Sequence, residues 1–174
     1  MSYFADMDAF EAPDSRHLLF TYGTLMLTTG IAAVDEAMRK AGKSLGRGFI
    51  HGRLYDFGDY PGAVAAGRYG TGEGSDGAGS EDAPKVWGHL LLLDDPDALF
   101  SVLDPYEGFT PADLTGSEFV RALAAVTLPD KSASLEAQIY YYNFSIAGRA
   151  PIASGDYLAH WSAQGKPLQG RTRE

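Results

Sequence analysis

The glutamate at position 107 is the first residue whose type and spacing could do chemistry. Leu99, Leu103 and Glu107 are four residues apart, so a helix would place them on one face, although Pro105 must distort its last turn. Gly108 follows at once, as a helix end often requires. A carboxylate on an apolar helix face is costly unless it is paired, protonated or facing a cavity, and these conditions describe a catalytic acid or base. The pattern also fits an ordinary glutamate at an exposed helix end.

A tyrosine–glycine loop is the second feature that could bind a reacting group. Residues 17–22 form an apolar run that is stopped by Gly23, which predicts a buried strand entering the tight loop Tyr22-Gly23-Thr24-Leu25. Backbone N–H groups at a strand-to-helix turn converge and can hold a carboxylate or a developing oxyanion. Glycine permits close backbone approach there, but it is equally common in turns that bind nothing.

Hydrophobic periodicity predicts the elements that must position these residues. A helix is expected over residues 29–41, capped by Thr29 and closed by Gly42. Asp95 followed by Pro96 predicts the start of the short helix that leads to Glu107. Strands are expected within residues 44–69, folded back at a turn, and over 85–93, 119–128 and 135–144, with a hairpin turn at 129–134. Runs of strands with inserted helices indicate an α+β domain around a mainly antiparallel sheet that can close into a barrel.

The chain of 174 residues suits one domain with ragged ends. We expect an N-terminal tail over residues 1–15, a single domain over 16–162 and a polar C-terminal tail over 163–174. Residues 70–84 contain five glycines and four acidic residues, which predicts a flexible loop. This loop lacks the following helix that a phosphate-binding glycine motif requires.

Charge and composition exclude several classes of function. A net charge of -9 argues against nucleic acid or an anionic membrane as the partner, because both require a basic patch. The chain has no cysteine, so disulfides, thiolate metal sites and cysteine nucleophiles are excluded. The four histidines lack metal-ligand spacing, and neither a signal peptide nor an apolar span of roughly 20 residues is present. We therefore expect a cytoplasmic protein without a metal, whose oligomeric state the sequence leaves open.

Short motifs follow one another in a characteristic order along the chain. After the tyrosine–glycine loop these are Leu54-Tyr55-Asp56-Phe57-Gly58, Tyr60-Pro61-Gly62, Val86-Trp87-Gly88, Leu103-Asp104-Pro105-Tyr106-Glu107-Gly108, Phe119-Val120-Arg121, Tyr140-Tyr141-Tyr142 and Ser154-Gly155-Asp156-Tyr157. In order and spacing the series resembles the gamma-glutamylcyclotransferase-like family, which includes the gamma-glutamylamine cyclotransferases and the plant avirulence-induced homologues. The resemblance covers roughly residues 17–161, and the ordered set is more specific than any single motif.

The resemblance implies a small mixed β-barrel flanked by short helices, with Glu107 as the catalytic proton carrier. The residues that it assigns to substrate binding are Tyr22, Gly23, Thr24, Leu25 and Tyr157. The family reaction releases an amine or amino acid from a small gamma-glutamyl substrate while the glutamyl part closes to 5-oxoproline. The substrate's own α-amine is the nucleophile, so the resemblance implies neither a metal nor an organic cofactor.

Alternatives remain for the function and for single residues. The same fold could serve as a non-catalytic module that binds a small molecule, or the chemistry could act on a carrier-linked or biosynthetic gamma-glutamyl product. Arg121 could bind a substrate carboxylate, although a salt bridge across the sheet is its more common role. Tyr140 and Tyr142 share one face of a strand, where at least one of them would serve only packing, while the other face of the strand could line a pocket.

Overall fold

The computed structural model describes residues 13–67 and 82–165. Within these two ranges the strands are β1 (Leu18–Thr21), β2 (Gly42–Asp56), β3 (Pro61–Ala65), β4 (Lys85–Leu93), β5 (Phe119–Leu128), β6 (Ala133–Tyr142) and β7 (Ala150–Pro151). The helices are α1 (Ala32–Arg39), α2 (Pro96–Glu107) and α3 (Tyr157–Ala163), with 3₁₀ turns at Ser15–His17, Thr24–Met26 and Pro129–Lys131. No helix within the described ranges has both the length and the apolar character needed to cross a bilayer.

Five strands form a closed mixed barrel in the order β2, β4, β1, β6, β5. The barrel closes where β5 returns to β2, with Phe49 opposite Thr127. Neighbouring strands are antiparallel except β1 and β6, which pair in parallel through Leu19 and Gln138. The second half of the long strand β2 leaves the barrel to pair with β3 and β7. The expected mainly antiparallel barrel with flanking helices is confirmed.

Gly48 allows β2 to approach β5 closely where the barrel closes. A Cβ atom at this position would lie 2.7 Å from the carbonyl oxygen of Thr127, a distance that real Cβ contacts do not reach. Only glycine fits such a close backbone approach within a strand. A local residue choice thus makes the ring of five strands possible.

Apolar side chains form two clusters, one on each side of the barrel wall. The first contains buried residues from all five barrel strands and therefore fills the barrel, and it includes Tyr157 and Trp161 of α3. The second lies between the barrel and helices α1 and α2. The short strand β1 contributes to both, because Phe20 belongs to the first cluster and Leu19 to the second. Its four residues are consequently all buried, as the continuous apolar run indicates.

Helix α2 begins and ends at the predicted signals. The Asp95 carboxylate accepts a hydrogen bond from the Ala98 N–H at 3.0 Å, and Pro96 occupies the first helical position. Gly108 adopts a left-handed conformation with φ 65° and ends the helix directly after Glu107. The apolar stripe of this helix is buried, namely Leu99, Phe100, Leu103 and Tyr106.

Three local expectations were wrong, and one element was missed. Helix α1 begins at Ala32, because Thr29 does not cap it: the Thr29 hydroxyl donates to Asp35 Oδ1 at 2.7 Å instead. Gly42 begins β2 rather than closing the helix. The second strand of the hairpin lies two residues earlier than expected, and the short helix α3 was not anticipated.

The predicted tails and loop fall largely outside the described residues. Of the expected N-terminal tail only residues 13–15 are described, and of the C-terminal tail only 163–165. In the glycine-rich segment the described residues are 82–84, which lead into β4.

Candidate active site

A cavity opens where β1 ends and the tyrosine–glycine loop begins. The cavity and its open mouth together contain about 370 Å³ of space that no protein atom occupies, and part of this space is open to solvent. Its lining residues are Phe20, Thr21, Tyr22, Gly23, Thr24, Leu25, Tyr60, Pro61, Glu107, Phe119 and Tyr140.

Glu107 brings a carboxylate to this cavity from the last position of α2. Its side chain is only 7% exposed, so Glu107 is not the exposed helix-end residue of the alternative interpretation. The helix stripe that buries Leu99 and Leu103 also turns Glu107 inward, as their spacing predicts. The backbone of Gly108 then leaves the helix, with its N–H donating to the carbonyl groups of Asp104 and Pro105.

Two tyrosine phenols, those of Tyr22 and Tyr140, interact electrostatically with Glu107. Burial raises the pKa of Tyr22 above its usual range, and the Glu107 charge raises it further against the hydrogen bond from Ala63. Burial likewise raises the pKa of Tyr140, with smaller contributions from Asp104 and Glu107. Both phenols therefore stay neutral near pH 7. Among the described residues that line the cavity, Glu107 has the only carboxyl group and no side chain is basic, so the site offers one carboxyl group within otherwise uncharged walls.

The Tyr22 hydroxyl fixes the position of the loop. It donates to the carbonyl oxygen of Tyr140 at 2.7 Å and accepts from the Ala63 N–H at 3.2 Å. The loop is thereby tied to β6 on one side and to β3 on the other. The ring of Tyr22 can line the cavity while its hydroxyl is engaged by backbone groups.

Gly23 and Thr24 are the two central residues of the loop. A Cβ atom on Gly23 would lie 2.6 Å from Pro61 Cγ, whereas its φ of -138° is open to any residue. Glycine is therefore required here for packing against Pro61. In the following 3₁₀ turn the first N–H groups, those of Thr24 and Leu25, have no partner within the turn. Such N–H groups at a turn can accept an anionic oxygen.

Aromatic residues from distant segments form the rim. The Tyr60 hydroxyl donates to Glu118 Oε1 at 2.6 Å, and its ring stacks on Phe57 with centroids 5.5 Å apart. Phe119 contacts Tyr60 with centroids 6.1 Å apart. Sequence reasoning did not place Tyr60, Pro61, Phe119 or Tyr140 in the site. The available signal was their presence in the ordered motif series, since each lies in one of its short segments.

Tyr157 lies apart from the other predicted site residues. It is the first residue of α3, is 1% exposed, and packs in the barrel cluster beside Trp161 at 5.6 Å between ring centroids. Its hydroxyl donates to the carbonyl of Asp59 at 3.4 Å. The structure therefore gathers Tyr22, Gly23, Thr24, Leu25 and Glu107 around one cavity, and Tyr157 is not among the residues that line it.

Arg121 forms a salt bridge with Asp104 of α2. Its Nε and one terminal nitrogen donate to the two Asp104 oxygens at 2.9 and 3.1 Å. This favours the structural role for Arg121 over the binding of a substrate carboxylate. Among the described residues no group of three or more His, Asp or Glu side chains is arranged to hold a metal ion.

The chain is similar to one protein family and to several solved structures. A family model described as gamma-glutamyl cyclotransferase, AIG2-like, matches residues 19–159. The solution structure of protein ytfP from Escherichia coli is similar with 26% identity and a TM-score of 0.51, covering 82% of this chain and 97% of that one. The crystal structure of an AIG2-like protein from Mus musculus is similar with 17% identity and a TM-score of 0.56, covering 91% of this chain and 97% of that one. None of the curated proteins matches the sequence significantly.

Proposed function

Because the chain belongs to the gamma-glutamyl cyclotransferase, AIG2-like family, we propose that it cleaves a gamma-glutamyl compound to 5-oxoproline and a free amine or amino acid. The observation that carries the proposal is the position of Glu107. The buried side chain of Glu107 lines the same small cavity as Thr24 and Leu25, whose N–H groups have no partner within their 3₁₀ turn. This pair of features matches what an intramolecular aminolysis needs, namely a proton carrier and an oxyanion partner.

Substrate binding is assigned to the tyrosine–glycine loop. The N–H groups of Thr24 and Leu25 would receive an anionic oxygen, either the α-carboxylate of the glutamyl group or the oxygen that becomes negative during attack. Since the lining residues of known placement include no cationic side chain, backbone dipoles must supply this stabilisation. Glu107 would attract the α-ammonium group of the same substrate.

The chemistry proceeds by ring closure within the substrate. Glu107 takes a proton from the α-ammonium, and the freed amine attacks the γ-carbonyl carbon to form a tetrahedral intermediate. The protonated Glu107 then donates its proton to the departing nitrogen, and the bond from this nitrogen to the γ-carbon breaks as the oxyanion re-forms the carbonyl. The ring nitrogen still carries a second proton, which passes through Glu107 to the released amine, so that the neutral five-membered lactam and an ammonium product remain. Proton donation is essential because an amide nitrogen leaves poorly as an anion. Holding the substrate folded for this closure can lower the barrier by up to about 7–11 kcal/mol.

The test is a screen of the purified protein against gamma-glutamylamines, gamma-glutamyl dipeptides and glutathione, with 5-oxoproline detected by mass spectrometry. Reactions without protein correct for spontaneous cyclisation. An N-acetylated version of any active substrate is the negative control, because it keeps the gamma-glutamyl bond but lacks the nucleophilic amine. Equal turnover of the N-acetyl compound, or binding of every substrate without turnover, would contradict the proposed reaction and favour a binding module.

A further inference from the structure

The carboxylate of Asp104 is the centre of a hydrogen-bonded cluster three residues before Glu107. It accepts two hydrogen bonds from Arg121 at 2.9 and 3.1 Å and one from the Tyr140 hydroxyl at 2.5 Å. Asp104 lies on α2, Arg121 on β5 and Tyr140 on β6. These three residues, here called the Asp104 cluster, therefore fasten the end of α2 to two strands of the barrel wall.

The Arg121 guanidinium is itself held in a fixed orientation. Its central carbon lies 4.1 Å from the ring centroid of Phe100 and 5.6 Å from that of Phe109. Another of its nitrogens donates to Gln138 Oε1 at 3.4 Å. The planar guanidinium lies against aromatic rings and also donates two hydrogen bonds to one carboxylate. A lysine ammonium cannot reproduce this combination of contacts. The Asp104 carboxylate thus meets a rigid partner.

Pro105 makes the last turn of α2 dependent on side-chain contacts. Proline has no N–H group, so it cannot donate the backbone hydrogen bond that an ordinary residue would give to the carbonyl of Ser101. The turn that carries Glu107 therefore loses one of its helical hydrogen bonds. Further fixation comes from the cap, where the Gly108 and Phe109 N–H groups donate to the Asp104 carbonyl, and from the Asp104 carboxylate.

The cluster also reaches the wall of the candidate active site. Tyr140 lines the cavity together with Glu107, and its carbonyl accepts the hydrogen bond from the Tyr22 hydroxyl. Movement of Tyr140 or of the end of α2 would consequently shift Glu107 relative to the tyrosine–glycine loop. A displacement of about 1 Å is enough to slow a well-oriented reaction by roughly 100-fold.

We propose that Asp104 is a positioning residue for Glu107, acting through the last turn of α2 and through Tyr140, with Arg121 as the partner that holds its carboxylate. This inference rests on the proposed function, because it concerns the placement of the proton carrier. Asp104 lies outside the cavity lining and acts without touching substrate. The role predicts an effect on the rate of the chemical step rather than on substrate binding.

The experiment compares Asp104→Asn, Arg121→Lys and the double variant with wild-type protein on the substrate found in the screen. Asp104→Asn keeps the size of the side chain but removes the charge, and we expect kcat to fall about 10- to 100-fold while KM stays nearly unchanged. Arg121→Lys should lower kcat less, because it keeps the cation and loses the bidentate contact. The kcat of the double variant should fall no further than that of the more strongly affected single variant, because both substitutions break the same cluster. Asp97→Asn, at an exposed position in the first turn of the same helix, is the matched control and should retain wild-type kcat.

Three results would overturn the inference. The first is a wild-type kcat for Asp104→Asn when Glu107→Gln is inactive, which leaves the proposed function intact. The second is a rise in KM as large as the fall in kcat, because that would assign the cluster to substrate binding, and the third is additive loss in the double variant. If Asp104→Asn does not fold by circular dichroism, the split between kcat and KM in Arg121→Lys decides by the same criteria. Full activity of Glu107→Gln would remove the proposed function and this inference together.

Discussion

The hydroxyl of Tyr22 donates a hydrogen bond to the backbone carbonyl of Tyr140, 2.7 Å away and 118 positions later in the sequence. It thereby joins the loop after β1 to strand β6. Strands β1 and β6 pair in parallel, with Leu19 opposite Gln138 as their one register pair. The same hydroxyl accepts from the Ala63 N–H. One side chain therefore holds three segments around the cavity.

Removal of this hydroxyl should destabilise the fold. In Tyr22→Phe the Tyr140 carbonyl and the Ala63 N–H both lose a partner while remaining buried, and an unsatisfied buried group costs about 1–3 kcal/mol. Urea unfolding followed by fluorescence measures the loss. Tyr55→Phe is the matched control, because Tyr55 is also buried and its hydroxyl has no hydrogen-bond partner among the described residues. Equal stability of the two variants would show that the Tyr22 hydrogen bonds contribute nothing to the fold.

The contact between Gly23 and Pro61 gives a second prediction. A methyl group on Gly23 would lie 2.6 Å from Pro61 Cγ, so Gly23→Ala should lower the free energy of unfolding by about 1–3 kcal/mol, as overpacking does elsewhere. The substitution should also reduce turnover, because the loop must move away from the cavity wall. Thermal unfolding and steady-state kinetics measure the two effects.

A second substitution tests the cause of this effect. Pro61→Ala removes the clashing ring atoms. The double variant Gly23→Ala/Pro61→Ala should therefore lose less unfolding free energy than the two single variants lose together. Strict additivity would mean that the methyl group meets a different obstacle. Pro61→Ala alone supplies the reference for the lost proline.

Buried tyrosines predict how stability changes at alkaline pH. Burial raises the pKa of Tyr141 to about 12 from an ordinary value of 10.0, and it raises the pKa of Tyr22, Tyr140 and Tyr157 as well. Above pH 10 the unfolded chain loses phenol protons that the folded chain retains. The contribution of these tyrosines to the free energy of unfolding is therefore fully present below pH 10, and it is lost as the pH rises toward the folded-state pKa values.

Absorbance of tyrosinate and far-UV circular dichroism, recorded together from pH 9 to 13, measure this effect. We expect part of the tyrosinate signal to appear only as the protein unfolds. The variant Tyr141→Phe should show a weaker fall of unfolding free energy between pH 10 and 12. Complete ionisation near pH 10 in a protein that is still folded would contradict the assignment.

Local signals in the sequence predicted the elements that local physics determines. The capped proline start at Asp95 and the glycine at 108 define both ends of α2, and the apolar runs define β4 and β5 at their observed bounds. The helical spacing from Leu99 placed Glu107 on the apolar stripe but also allowed an exposed helix end, and the structure decides for burial. In each case the information lies within one turn of helix or one strand.

Contacts between distant segments could not be predicted in the same way. The rim residues Tyr60 and Phe119 meet only because the barrel closes, and the partner of the Tyr22 hydroxyl depends on the register of β6. Thr29 bonds to Asp35 rather than capping α1, a choice between two local partners that its residue type leaves open. Helix α3 has two buried residues in seven, too few to give a periodic signal.

The final prediction concerns the proton carrier itself. Glu107→Gln keeps the shape of the side chain but cannot exchange a proton, so turnover should fall by roughly 10²–10⁴-fold. Substrate affinity should change less than kcat, because the loss falls mainly on the transition state. The fold should remain intact by circular dichroism, because glutamine keeps the size and shape of the buried side chain. Production of 5-oxoproline under saturating substrate measures kcat.

The same substitution elsewhere separates this effect from a general loss of charge. Glu136 lies exposed on β6, so Glu136→Gln removes one negative charge without touching the cavity and should keep the wild-type rate. Glu118 is unsuitable as a control because it accepts the hydrogen bond from Tyr60 at the rim. A rate for Glu107→Gln equal to that of Glu136→Gln would mean that Glu107 carries no proton in the reaction. The buried carboxylate would then serve only the packing of α2 against the loop.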